Sequence, residues 1–477
     1  MLFNSIDFLV FLPVVFILYW LISRTCKQQN LLIVIVSYIF YGWWDYRFLF
    51  LIAFTSLCSY FSGISIEHFD KNRKAQKLIC ITNIAIQILI LSFFKYYNFF
   101  IENFIALTSI CNIKLDKITL DIILPVGISF YTFQALSYTI DVYQKKIKAT
   151  QDIIELFVFI SFFPQLVAGP IERATNLLPQ FQKKRSFDYG QAIDGMRQML
   201  WGFFKKLVIA DNCAVIVDNY WGFSDIISGR MHILLALLFS FQIYCDFSGY
   251  SDIAIGCSKL FGINLKANFR YPYFSKSIPD FWRRWHISLT TWFRDYIYIP
   301  LGGNRCRKPI VFRNIIIVFA LCGLWHGANW TFIIWGLYHA VLLILYNLLG
   351  LNRQYQNSNS IVSTIKGALQ ITITYILVVF GWIVFRAESI SQAYTFILNT
   401  FTHSFMGLGF IDGRKWLIAG IMILLVEWLQ QNKRHALDFP QKGVFQYRIV
   451  RWCIYYALVL TIFNFAGSSQ TFIYFQF

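Results

Sequence analysis

The chain of 477 residues is 57% apolar and only 14% charged, well below the roughly 25% charged residues of soluble domains. That balance excludes an ordinary water-soluble enzyme. The net charge of +18, from 42 Lys and Arg against 24 Asp and Glu, does not point to nucleic acid, because the basic residues sit in short clusters between apolar runs, as the positive-inside rule requires.

Apolar runs of roughly 20 residues read as membrane-crossing helices. The first, residues 6–23, has no basic residue before it and Arg24 and Lys27 after it, the reverse of a secretory signal peptide. It is read as a retained helix with an outer N-terminus. Residues 31–44 lead outward, and 48–66 return to a cytoplasmic cluster of Lys71, Arg73, Lys74 and Lys77. Residues 78–94 lead out to an exterior segment at 98–121, and 122–140 come back to Lys145, Lys146 and Lys148. Five crossings agree with one orientation.

The run 153–168 ends in Pro and Gly at 163–170, and Arg173, Lys183, Lys184, Arg185, Lys205 and Lys206 then break the alternation. Broken backbone at membrane depth is tolerated where it is buried in protein or lines a cavity, so re-entrant helices are expected here. Further runs at 233–245, 315–323, 329–349, 367–385, 416–429 and 453–465 bring the total to roughly eleven to thirteen segments. The expected fold is an all-α polytopic membrane protein, one domain over 1–477. It comprises N-terminal helices (1–150), a core (151–350), C-terminal helices (351–471) and an aromatic tail (472–477). Ten scattered cysteines without a Cys-x-x-Cys pair signal neither a disulfide framework nor a zinc site.

Three polar intrusions stand out. Residues 265–313 hold ten basic residues and only Asp280 and Asp295. Within them Ser277-Ile-Pro-Asp280 has the form of a capping box with an early Pro. Phe281, Trp285, Leu289 and Trp292 follow at the spacing of one helical stripe, with Arg283, Arg284 and Arg294 off it. This predicts an amphipathic helix on the membrane surface, with His286 beside the stripe, read on its own as a surface histidine among arginines. The second intrusion, Cys322-Gly-Leu-Trp325-His326-Gly-Ala-Asn329-Trp330, places a histidine between two apolar runs. An ionisable group there is a functional candidate, the alternative being a core histidine bonded across helices. Gly323, Gly327 and Ala328 would admit another backbone or a substrate. In the third, Asp246 and Asp252 flank Ser248, Gly249 and Tyr250. Two carboxylates suit an ion site or an acid/base pair, but capping of a broken helix is the preferred reading.

Six stretches, taken in this order, resemble the membrane-bound O-acyltransferase family. They are Leu-Pro-Val-Gly-Ile-Ser-Phe-Tyr-Thr-Phe (124–133), Val-Ala-Gly-Pro-Ile (167–171), Asp-Phe-Ser-Gly-Tyr-Ser-Asp-Ile-Ala-Ile-Gly (246–256), Phe-Trp-Arg-Arg-Trp-His-Ile-Ser-Leu-Thr-Thr-Trp-Phe-Arg-Asp-Tyr (281–296), Leu-Gly-Gly-Asn-Arg (301–305) and Gly-Leu-Trp-His-Gly-Ala-Asn-Trp (323–330). The likeness is to its bacterial branch, which acylates alginate, peptidoglycan and teichoic acid, and it spans essentially the whole chain.

The resemblance implies a ring of tilted and re-entrant helices around a thinned centre, joining a cytoplasmic funnel to an outer one. It maps the family's intramembrane histidine to His326 and its second polar position to His286. The ending Phe472-Ile-Tyr474-Phe-Gln-Phe477 resembles the branch's aromatic signature, with Tyr474 as a carrier of the acyl group. The bland alternative is a residue of the interfacial aromatic belt. Arg448 and Arg451 would put the last helix's start inside and the tail outside, so that both termini are extracytoplasmic.

The implied reaction takes an acyl group, most simply acetyl, from a cytoplasmic thioester such as acetyl-CoA, with no permanently bound cofactor and no metal. The basic stretch 266–313 suits the donor's phosphates, although positive-inside charge explains the same residues. His326 is the expected general base, removing a proton from an alcohol or from a Tyr phenol of ordinary pKa near 10. His286 is expected to orient the donor or stabilise the oxyanion. Expected substrate contacts are Asn329, Trp325, Trp285, Arg283, Arg284, Asp246, Ser248 and Tyr250. Implied partners are membrane lipid, an extracytoplasmic SGNH-type esterase-like transferase and a polysaccharide or peptidoglycan acceptor, with no nucleic acid. The location implied is the bacterial inner membrane. The alternatives are a transporter of a small polar or acylated substrate and a scaffold that only recruits the transferase.

Overall fold

A computed structural model describes residues 1–113, 115, 119–167, 169–351, 361–404, 413–440, 443–467, 470 and 472–473. Every regular element among them is helical. The packing divides the chain into two compact units, Met1–Met196 with Ala254–Lys266, and Arg197–Ile253 with Ala267–Phe477.

The first unit contains α1 (Ile6–Ile22), α2 (Cys26–Gly42), α3 (Leu49–His68), α4 (Arg73–Ile110), α5 (Ile128–Tyr143), α6 (Ile153–Ser161), α7 (Phe163–Leu166), α8 (Ala174–Phe181) and the start of α9 (Tyr189–Phe203). Side-chain caps set the starts: Ser5, Thr25 and Asn72 each accept from a first-turn N–H, and Thr25 with Gln28 completes a capping box. α4 runs for 38 residues, about 57 Å. The exterior segment expected from residue 98 therefore opens as a continuation of this helix to Ile110, because no Gly or Pro interrupts it. Near 162 the expected break is present: α6 stops at Ser161, Phe162 takes ψ 108°, and Pro164 opens the single turn α7. Polar side chains in this unit bond across helices. Asn83 Nδ2 donates to Thr139 Oγ1 at 2.8 Å, and the buried Arg185 donates to Tyr19 OH and Asn30 Oδ1, both at 2.8 Å. Water-free surroundings require such pairing.

The second unit continues α9 through a π-helical turn, Phe204–Ala210, into α10 (Asp211–Tyr220). There follow α11 (Gly229–Leu260), α12 (Ile278–Arg284), α13 (Ile287–Phe293), α14 (Lys308–His326), α15 (Trp330–Leu348), α16 (Ile361–Arg386), α17 (Ile390–Thr402), α18 (Gly413–Leu429) and α19 (Arg448–Phe465). Seven helical stretches among the described residues are long and apolar enough to cross a membrane: Tyr46–His68, Arg73–Ile110, Gly229–Leu260, Lys308–His326, Trp330–Leu348, Ile365–Arg386 and Arg448–Phe465. α1, α2, α5 and α18 have 16 or 17 residues. They reach about 25 Å against about 30 Å of hydrocarbon, the length of tilted or partial segments. The chain is an all-α, polytopic, multi-pass membrane protein.

Two sequence expectations change here. α11 passes through 246–252 unbroken, so Asp246 and Asp252 cap nothing; they meet lysines instead. The surface helix after Ser277 is also revised. Ser277 does cap α12, accepting from the Asp280 N–H, but the helix stops at Arg284, and α13 restarts after His286. Phe281, Trp285 and Leu289 are each 1% exposed, so the stripe packs inside the protein rather than on lipid.

Candidate active site

His286 occupies the break between α12 and α13 with φ 42° and ψ 54°, a left-handed conformation that costs a non-glycine residue about 1–3 kcal/mol unless its surroundings impose it. The turn aims the imidazole inward, where it is 1% exposed. Its Nδ1 lies 3.0 Å from Asn268 Oδ1. That oxygen also accepts from the Ser288 hydroxyl at 2.9 Å and the Ser288 N–H at 3.3 Å, while Asn268 Nδ2 donates to Ser251 Oγ on α11. A backbone N–H is always a donor, so the Ser288 contact fixes which end of the Asn268 amide faces His286. His286 must then carry its hydrogen on Nδ1 and its lone pair on Nε2. Burial pushes its pKa down to about 3, which keeps the ring neutral.

His326 ends α14 and is 3% exposed. Its ring meets Trp325 at 5.0 Å, Trp335 at 5.1 Å and Phe385 at 5.4 Å. Trp325 also lies 5.9 Å from His286, so one indole touches both imidazoles although the two histidines are 40 positions apart. The surface reading of His286 is thereby excluded: both rings belong to one buried cluster. The glycines of the His326 motif serve another helix. A Cβ on Gly323 would lie 2.2 Å from Phe332 O, and one on Gly336 would lie 2.1 Å from Phe319 O. Close backbone approach between α14 and α15 therefore accounts for Gly323.

The Asp246–Asp252 motif connects to the same cluster. Phe247 stands perpendicular to His286 at 4.6 Å, and Ser251 holds Asn268. Gly249 lets the α9 end cross closely, since a Cβ there would meet Gly202 O at 2.8 Å. The crossing presses the π-helical turn against α11, and π turns recur at functional sites. Two consecutive lysines thus reach one helix. Lys205 Nζ contacts Asp252 Oδ2 at 2.6 Å and Ser248 Oγ at 2.9 Å. Lys206 Nζ lies 2.7 Å from Asp211 and 2.8 Å from Asp246.

The other expected site residues divide. Trp285 is buried against Phe269, Phe281 and Trp382, and Tyr250 against Phe472. Asn329 caps α15, accepting from the Thr331 N–H and donating to Glu388 O, which gives its amide a structural task. Arg284 pairs with Asp280 at 3.1 Å, and Arg283 is exposed. Tyr474 lies outside the described residues. Sequence reasoning missed the site contacts of Asn268, Lys205, Lys206 and Asp211. Two lysines inside the apolar run 201–210 were a usable signal; a single Asn in a loop was not.

The model of the membrane-bound O-acyltransferase family matches residues 39–385. The chain is 40% identical over 394 residues to a probable alginate O-acetylase of Pseudomonas putida, covering 82% of this chain and 79% of the relative. It is 36% identical over 424 residues to the peptidoglycan O-acetyltransferase of Helicobacter pylori, covering 82% and 78%. It is also 32% identical over 277 residues to a teichoic acid D-alanyltransferase of Bacillus subtilis, covering 55% and 69%.

Proposed function

The chain belongs to the membrane-bound O-acyltransferase family, and from that premise we propose that it takes an acyl group, most simply acetyl, from a cytoplasmic thioester and delivers it for O-acylation of an extracytoplasmic polysaccharide or peptidoglycan. The observation that carries this reading is the buried histidine pair, His286 held by Asn268 and joined to His326 through Trp325.

His326 is the base: it takes the proton of the attacking hydroxyl as oxygen bonds to the thioester carbonyl carbon, and the thiolate leaves with a proton. His286 orients the donor. A neutral ring whose N–H is committed to Asn268 has no hydrogen for an oxyanion, so of its two expected roles only the accepting one fits. Its Nε2 can receive a hydrogen bond from an amide or hydroxyl of the donor. The relatives are named for acylation of alginate, peptidoglycan and teichoic acid, which supports a glycan acceptor outside the cell. An SGNH-type transferase receiving the group from Tyr474, the inner membrane as location and both termini outside complete the proposal. Purified protein supplied with acetyl-CoA tests it: consumption of the thioester that disappears in His326→Ala supports the reading, and equal consumption in that variant refutes it.

A further inference from the structure

The charges set against α11 have a second partner besides one another. Lys206, Asp211 and Asp246 have side chains at most 4% exposed, and one ammonium lies between two carboxylates. A buried ion pair repays its desolvation only as its remaining bonding capacity is met, and here the end of the chain supplies part of it. Lys206 Nζ donates to Gln470 O at 3.2 Å, the Gln470 backbone N–H faces Asp211, and the Ile473 N–H donates to Asp246 Oδ2 at 2.7 Å. Every one of these contacts uses tail backbone, so they fix the position of residues 470 and 473 whatever side chains they carry.

Between them Phe472, fully buried, sets its ring 4.4 Å from Tyr250 and 5.9 Å from Phe247. Phe247 is the residue whose other side meets His286. The approach to the tail is tied down as well: Asn212 Nδ2 donates to Phe465 O at 2.8 Å, where α19 ends. An unbroken path of contacts therefore runs from the three charged groups through the tail to the imidazole pair.

We propose that Lys206, Asp211 and Asp246 are positioning residues that dock the backbone of the C-terminal tail, at residues 470 and 473, beside the histidine cluster. This rests on the acyl-transfer reading above, but its first test does not. Ile473→Cys, introduced with the exposed Cys111 and Cys453 changed to Ser, reports docking by its reaction with a water-soluble maleimide on full-length protein in detergent. A cysteine as buried as Ile473 should be protected in this parent, and rapid labelling there overturns the dock. The triple variant Lys206→Met, Asp211→Asn, Asp246→Asn removes the charges together, so that none is left unpaired. It should label faster by an order of magnitude or more, while Lys206→Arg keeps the protection.

Equal protection in the triple variant overturns the dock. Should that variant fail to accumulate, Asp246→Leu, which removes the acceptor of the Ile473 N–H and spares the Lys206–Asp211 pair, decides instead: labelling rises if the dock is real and stays at the parent rate if it is not. In parallel, acyl adduct on the C-terminal peptide after incubation with acetyl-CoA should fall on the order of a hundredfold in the triple variant, as misplaced reactants require. Faster labelling with an unchanged adduct overturns the positioning role. A parent that forms no adduct yet shows the labelling contrast overturns the acyl-carrier reading and leaves the dock standing.

Discussion

Replacing Asn268 with Leu tests whether the histidine pair works by fixed geometry. Three hydrogen bonds end on Asn268 Oδ1, from His286 Nδ1 and from the Ser288 hydroxyl and N–H. At about 1 kcal/mol each their loss amounts to about 3 kcal/mol, comparable with the roughly 1–3 kcal/mol by which the left-handed His286 backbone is disfavoured. The turn is then free to relax, and the ring no longer keeps its hydrogen on Nδ1. Leu fills a similar volume, so the fold should persist, whereas turnover of acetyl-CoA should fall on the order of a hundredfold. Asn268→Asp restores the acceptor and serves as the control. Its carboxylate raises the His286 pKa from about 3, and a raised pKa means that the neutral ring is lost as pH falls through the new value. The Asp variant should thus retain activity at alkaline pH and show an acid limb that the parent lacks. Membrane levels followed by blotting and turnover measured across pH decide the matter. Unchanged turnover in correctly inserted Asn268→Leu refutes the argument.

Further consequences can be checked separately. His326→Ala should abolish acylation of the extracellular polymer while the protein stays in the membrane; polymer acylation that persists removes His326 from the mechanism. Tyr474→Phe should abolish an acyl adduct seen by intact mass analysis of the C-terminal peptide, whereas full activity in that variant means that the group passes directly to the acceptor. Lys205→Met leaves the Asp252 carboxylate only its Gln198 hydrogen bond and should lower abundance or melting temperature, with recovery when Asp252→Asn is added. Gly336→Ala, whose Cβ would meet Phe319 O at 2.1 Å, should lower thermal stability. Gly222→Ala, with nothing within 4 Å, should not.

Most of the helices were legible because membrane-crossing segments announce themselves by length and apolarity, a one-dimensional property. Breaks at Pro and Gly were legible for the same local reason. The misreadings came where polar residues lie on helices. Asp246 and Asp252 looked like caps because the sequence does not show lysines 40 and 47 residues away arriving from a π-helical turn. The stripe through Phe281 and Trp285 looked lipid-facing because an apolar face reads the same whether lipid or protein covers it.

Family and fold class followed from the sequence alone, and motif wording singled out the two histidines as candidates, since wording and hydropathy survive without coordinates. Only the tertiary structure decided which nitrogen of His286 holds the hydrogen, that Trp325 joins the two rings, and that the tail's backbone completes an ion cluster on α11. Those facts depend on distances between residues remote in the chain, and hydrogen-bond geometry has no signature in residue order.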